Sequence, residues 1–199
     1  MKIFIPHYTP LKERKMCVTK QLQNAGIDEF EFIESYDREQ LTSTDIKKYS
    51  QLNMAEISLF LKNGEIFRQE IDDIVVVIED DAIMVSGFKE RLDECLRQLS
   101  VREWDIAFTG GCCNLHAPNM QPNQLLYESN GSRGTCMYIM NRGVCKKINQ
   151  IMKNETHITK PIDHWFNYIY TKYPLKYYWS EPILVCQGSE VGLFKSAIR

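Results

Sequence analysis

Residues Ile74–Ala82 read IVVVIEDDA: five β-branched residues run straight into three acids, Glu79, Asp80 and Asp81. An unbroken β-branched run of this length suits a strand buried on both faces, inside a parallel sheet covered by helices. The acids then fall at the strand's carboxyl end, where open α/β sheets gather their ligands. Carboxylates so close together repel one another, and a divalent cation relieves the repulsion. Mg²⁺ in particular is held by one or two carboxylates completed by substrate phosphates. The triplet therefore reads as a metal and nucleotide site. The same residues also suit a solvated turn or a cap for a following helix.

The rest of the chain supplies the layers around such a strand. Lys2–Pro6 predicts a first strand, and Leu11–Ala25 a helix with Leu11, Met16, Val18, Leu22 and Ala25 on one side, stopped by Gly26. Phe30–Ile33 is a second strand, so the opening is β-α-β. Helices are expected over Thr42–Ser50, Met54–Glu70 and Phe88–Leu99, the last capped by Ser86. Asp105–Thr109 predicts a strand broken by Gly110-Gly111, followed by a polar loop over 112–124. Leu125–Tyr127 and Thr135–Met140 predict two more strands, and Asn141 caps a helix ending near Met152. Pro161 opens another helix to about Lys172, and Lys176–Trp179 and Ile183–Val185 close the pattern as strands. The expected fold class is α/β: a mostly parallel central sheet flanked by helices, with a small antiparallel addition in the second half.

At 199 residues the chain is expected to form one domain over 1–199, either a whole protein or the first domain of a longer one. A net charge of −2 gives no electrostatic reason to expect nucleic acid or an anionic membrane as partner. No stretch approaches a membrane span, and the apolar run before Pro6 is too short for a secretory signal. Seven scattered cysteines suit reduced thiols, so a cytoplasmic location is expected, and the sequons at Asn130 and Asn154 are read as chance. Oligomeric state is left open.

Several segments resemble glycosyltransferase family 25, which includes lipopolysaccharide and collagen galactosyltransferases. The chain looks closest to the small, signal-less members encoded by large DNA viruses, which would place it in a host cytoplasm. IFIPHYTPLKER resembles the family's opening, and the helix from Glu56 through Phe67 resembles its Glu-x-Gly-Cys-x-x-Ser-His helix. VVVIEDDAI with WDIAFTGG resembles its central strand, acidic motif and next strand. TCMYIMNRGVCKKI with KPIDHWFNYIY resembles its last third. Lys62-Asn63 stands where the family has Ser-His, a departure that bears on donor and acceptor preference and on phosphate contacts.

The resemblance implies a GT-A fold, a nucleotide-diphosphate sugar donor such as a UDP-sugar, Mn²⁺ or Mg²⁺, and inversion at the anomeric carbon. The acceptor would be a glycan or glycoprotein. Glu79-Asp80-Asp81 then takes the place of an Asp-x-Asp motif, with Asp81 a metal ligand and Glu79 facing the ribose or a metal-bound water. Asp163 resembles the acidic residue that deprotonates the acceptor; Asp in a first helical turn is also favourable with the helix dipole alone. Glu181 and Glu190 are the fallback bases.

His7, Tyr8 and Thr9 after the first strand, and Ser35, Tyr36 and Asp37 after the second, are candidates to hold the nucleotide. Arg14 and Lys62 are candidate phosphate partners. Gln187 and Ser189 belong to QGSEVGLFKS, a segment suited to a lid over the diphosphate. His164 is a candidate for the metal shell, beside Trp165. Cys112, Cys113 and His116 lack zinc-site spacing and are read as structural. Two other functions compete. A sugar-phosphate nucleotidyltransferase would want a glycine-rich phosphate loop, which HYTPLKER lacks. A non-catalytic sugar- or nucleotide-binding module would use the acids as a turn.

Overall fold

The computed structural model describes residues 1–112 and 114–197. The first half contains β1 (Lys2–Pro6), α1 (Lys12–Asn24), β2 (Glu31–Ile33), α2 (Ser43–Lys48), α3 (Met54–Arg68) and β3 (Val75–Ile78). There follow β4 (Ala82–Met84), α4 (Phe88–Leu99), β5 (Ile106–Phe108), β6 (Gly110–Gly111), β7 (Leu126–Ser129) and β8 (Met137–Met140). The chain ends with α5 (Val144–Asn154), α6 (Ile162–Lys172), β9 (Tyr177–Ser180) and β10 (Val185–Gln187).

Seven strands form one mixed sheet in the order β2-β1-β3-β8-β5-β9-β7. β1 pairs parallel with β2 and β3, and β5 pairs parallel with β9. The pairings β3–β8, β5–β8 and β7–β9 are antiparallel. The antiparallel component is therefore larger than the sequence pattern suggests, and β8 lies inside the sheet rather than beside it. All four residues of β8 are buried, which is why its apolar run MYIM cannot be told from a parallel core strand by composition.

Side-chain alternation along the strands separates two cores. Phe4, Val75, Val77, Phe108, Tyr138 and Met140 face α3, α5 and α6. Ile3, Ile5, Val76, Ile78, Ala107 and Ile139 face α1 and α4. The chain passes from β1 through α1 to β2 on one side, then returns through α3 to β3 on the other. That reversal makes the carboxyl ends of β1 and β3 a topological switch point, the usual place for a ligand crevice in an open α/β sheet.

A second, three-stranded sheet, β4-β10-β6, stands beside this edge. β4 and β6 were not expected, because strands of two or three residues exist only through pairing with β10, far along the chain. Gly110 lets β6 lie close against the start of β8: a Cβ there would lie 2.3 Å from Cys136 Sγ and 2.7 Å from the Met137 nitrogen. Two expected caps are also corrected. Gly87 and Gly143, both left-handed with φ of 69° and 71°, precede α4 and α5 in place of Ser86 and Asn141. Asn141 instead donates its amide to the Trp104 carbonyl at 2.8 Å. Among the described residues no helix is long and apolar enough to cross a membrane.

Candidate functional site

The acidic triplet leaves β3 buried, not solvated: Glu79, Asp80 and Asp81 are 8%, 7% and 3% exposed. The backbone turns over Glu79–Ala82, with the Ala82 N–H donating to the Glu79 carbonyl at 3.1 Å, so each of the three side chains takes a different direction. Glu79 Oε1 accepts from Thr135 Oγ1 at 2.7 Å. Asp80 bridges His7 Nδ1 at 2.7 Å and Arg14 Nη1 at 3.0 Å. Asp81 Oδ2 lies 3.6 Å from the same Arg14 nitrogen and is hydrogen-bonded by Ser189 through side chain and backbone. The Gly188 N–H also donates to the Asp81 carbonyl at 2.8 Å. A Cβ at Gly188 would sit 2.6 Å from that oxygen, so only glycine lets β10's turn close on the acids.

Burial dominates the electrostatics. It pushes the Glu79 carboxyl up to about 8, and the Asp81 charge pushes in the same direction, against the Thr135 hydrogen bond. Burial also raises Asp81, while Arg14 and Ser189 pull it back. The site thus holds carboxyls on which negative charge is costly, the condition a cation relieves.

Two clefts meet at this corner. The first is lined by His7, Arg14, Lys62 and Glu79–Asp81, together with Arg38 and Tyr8. The second is lined by Asn53, Glu56, Thr135, Asp163 and His164. Glu79, Gln187 and Ser189 belong to both walls. Asp163 lies in the first turn of α6, and its Oδ1 accepts from the His164 N–H at 2.8 Å. Its charge is close enough to add to the upward push on Glu79.

The structure thus brings together His7, Arg14, Lys62, Glu79, Asp80, Asp81, Gln187 and Ser189 on one cleft, with Asp163 and His164 on the adjoining one. Thr9, Ser35, Tyr36 and Asp37 are not among the residues lining either cleft. The reason is Lys62, buried on α3 and in need of acceptors. It donates to the Ser35 carbonyl at 2.6 Å and to Asp37 Oδ1 at 2.8 Å. Asp37 Oδ2 in turn accepts from Thr9 Oγ1 at 2.5 Å. Burial alone would raise Asp37, but the bonds from Lys62 and Thr9 hold it below the usual carboxylate range. Tyr36, left-handed with φ of 61°, turns its hydroxyl to Arg68. These residues form a support beneath the cleft.

Glu181 is committed elsewhere: it accepts from buried Arg133 Nη1 at 2.5 Å and from the Ala117 N–H at 3.0 Å. Glu190 lines the second cleft. Glu56 closes a capping box with Asn53 at the start of α3 and also lines the second cleft. Cys113 lies outside the described residues; Cys112 donates to the Arg133 carbonyl, and His116 Nδ1 lies 3.4 Å from Glu181. Sequence reasoning missed Arg38 and Thr135. A Thr at the start of an expected strand gives no sign that its hydroxyl meets an acid, and Arg38-Glu39 looks like ordinary surface charge.

Among the described residues, no three His, Cys, Asp or Glu side chains converge in metal-holding geometry. The donor set fits a cation only where a bound diphosphate supplies further oxygens: Asp81 and Glu79 are buried, close and reluctant to carry charge together. His164 is two-thirds exposed on its side chain, with Nε2 3.9 Å from Asp163 Oδ2, on the second cleft. The chain matches no protein-family model and no curated protein.

Proposed function

We propose that the protein is a metal-dependent, inverting glycosyltransferase of GT-A type that moves a sugar from a nucleotide diphosphate, such as UDP, to a glycan or glycoprotein acceptor. The observation that carries this reading is the shared wall of the two clefts. A donor in the first cleft and an acceptor in the second would meet beside Glu79, with a carboxylate, Asp163, on the acceptor side. The sheet supports it as well: β1, β2, β3, β5 and β9 run one way and β7 and β8 oppose them, with the acids at the switch point.

In this reading the first cleft binds the donor and the basic groups face its phosphates. Arg14, held at Nη1 by Asp80, keeps its guanidinium beside Asp81. His7 fixes the other oxygen of Asp80, so the arginine is aimed by a buried support rather than by solvent. A divalent cation bound at Asp81 and Glu79 would stabilise the charge that develops on the leaving diphosphate. Asp163 takes the proton from the acceptor hydroxyl as its oxygen bonds to the anomeric carbon. The bond from that carbon to the diphosphate oxygen breaks on the opposite face, and the nucleoside diphosphate leaves.

The test is release of nucleoside diphosphate from a panel of nucleotide sugars with Mn²⁺ or Mg²⁺, with and without glycan acceptors. Turnover of one donor that stops on chelation supports the reading; no turnover and no binding across the panel contradicts it. One observation favours a second reading, a non-catalytic nucleotide- or sugar-binding module: all three acids already have partners within the protein. That module binds ligand without a metal requirement.

A further inference from the structure

The first cleft is partly closed by the protein's own backbone. Arg14 Nη2 donates to the Lys195 carbonyl at 2.5 Å, and Arg38 Nη2 donates to the Ala197 carbonyl. The Arg14 guanidinium also lies over the Phe194 ring, 5.3 Å from its centre. Arg38 in turn is stacked on Tyr8, 4.5 Å from the ring centre. Ser196 and Ala197 form part of the cleft wall, together with both arginines. Two carbonyl oxygens two residues apart thus meet two guanidinium groups at the mouth of the pocket.

We propose that Leu193–Ala197 is an internal competitor for a diphosphate, its carbonyls holding Arg14 and Arg38 until phosphoryl oxygens displace them. This rests on the reading that the first cleft accepts a diphosphate. The chemistry favours the exchange, because an arginine bonds a charged phosphoryl oxygen more strongly than a neutral carbonyl, and bidentately. Arg14 already spends Nη1 on Asp80, so the nitrogen given to Lys195 is the one an anion must reclaim.

The segment is built to let go. Leu193 and Phe194 N–H groups both reach the Gly188 carbonyl, at 2.9 and 3.3 Å, and Gly192 turns the chain with φ of 77°. This local loop anchors its near end. At this anchor Leu193 is exposed and Phe194 half-buried; beyond it Lys195 and Ser196 are exposed, so detachment uncovers little apolar surface. On this proposal the segment competes for the anion's place, where the sequence suggested a lid closing over it.

Binding of inorganic pyrophosphate in the presence of Mg²⁺ tests this, measured by calorimetry on the wild type and on Phe194→Ala. Loss of the ring beneath Arg14 weakens the competitor, so the variant is expected to bind pyrophosphate roughly three- to tenfold more tightly. In the wild type, pyrophosphate is expected to speed amide hydrogen exchange across 193–197. Equal or weaker binding by the variant, or slower exchange on adding pyrophosphate, overturns the competitor and leaves the diphosphate site standing. Absence of binding to both proteins overturns the site and the competitor together.

Discussion

Asp81 stands two residues beyond Glu79 at the end of β3, and its charge, after burial itself, is the main reason the Glu79 carboxyl titrates near pH 8. That relationship links stability to pH. A carboxyl raised from 4.5 to about 8 contributes stability that is fully present below pH 4.5 and is lost as pH rises through 8. The loss is on the order of 4 kcal/mol where no cation offsets it. Urea denaturation without metal at pH 5 and pH 8 is expected to show this decline in the wild type. Glu79→Gln keeps the shape and the Thr135 partner without the charge, and is expected to flatten the profile. A variant that declines in parallel with the wild type would show that the slope comes from other groups.

Asp163→Asn is expected to leave binding of UDP with Mn²⁺ unchanged, because Asp163 lines the second cleft and not the first. Transfer is expected to fall by about 10²- to 10⁴-fold, the usual contribution of a general base. Steady-state kinetics on a donor identified in the panel decides it. A kcat near the wild-type value removes Asp163 from the mechanism.

Lys62 and Asp37 form a buried pair at 2.8 Å, with side chains only 3% and 6% exposed. Lys62→Met strands the Asp37 charge and is expected to cost about 3–5 kcal/mol in chemical denaturation. Lys62→Met combined with Asp37→Leu is expected to recover most of that loss, since an apolar pair replaces an ion pair with little penalty. A single variant as stable as the wild type would show that the pair does not support the cleft floor.

Gly110→Ala places a methyl group against both Cys136 Sγ and the Met137 backbone, where β6 joins the second sheet to β8. The expected destabilisation is about 1–3 kcal/mol by thermal melting. Adding Cys136→Ala relieves only the side-chain contact, so recovery is expected to be partial. Full recovery would mean that the backbone there moves aside easily.

How much of this could be read from the sequence depended on whether a feature was local. The β-branched run before Glu79 announced a buried strand because nothing else tolerates that composition for long. The gathering of His7, Arg14 and the acids on one cleft followed from their places after the first and third strands. Lys62 was legible as a cation in a functional helix, but its acceptors, Ser35 and Asp37, belong to a loop 25 or more residues earlier. That pairing drew the whole 35–37 segment away from the cleft. Arg38 gave no signal at all, since its placement depends on a carbonyl at Ala197. The reversed direction of β8 was equally hidden, because a central strand's apolar pattern carries no information about polarity.

The most direct measurement is the thermal shift produced by UDP with Mn²⁺ on the wild type and on Asp81→Asn, which keeps the side chain's shape and removes its charge. A ligand that binds the folded state raises its melting temperature. The wild type is expected to melt higher only when UDP and Mn²⁺ are both present, and Asp81→Asn is expected not to respond. An equal rise in both proteins, or a wild type indifferent to the combination, would contradict a cation and a diphosphate meeting at this corner.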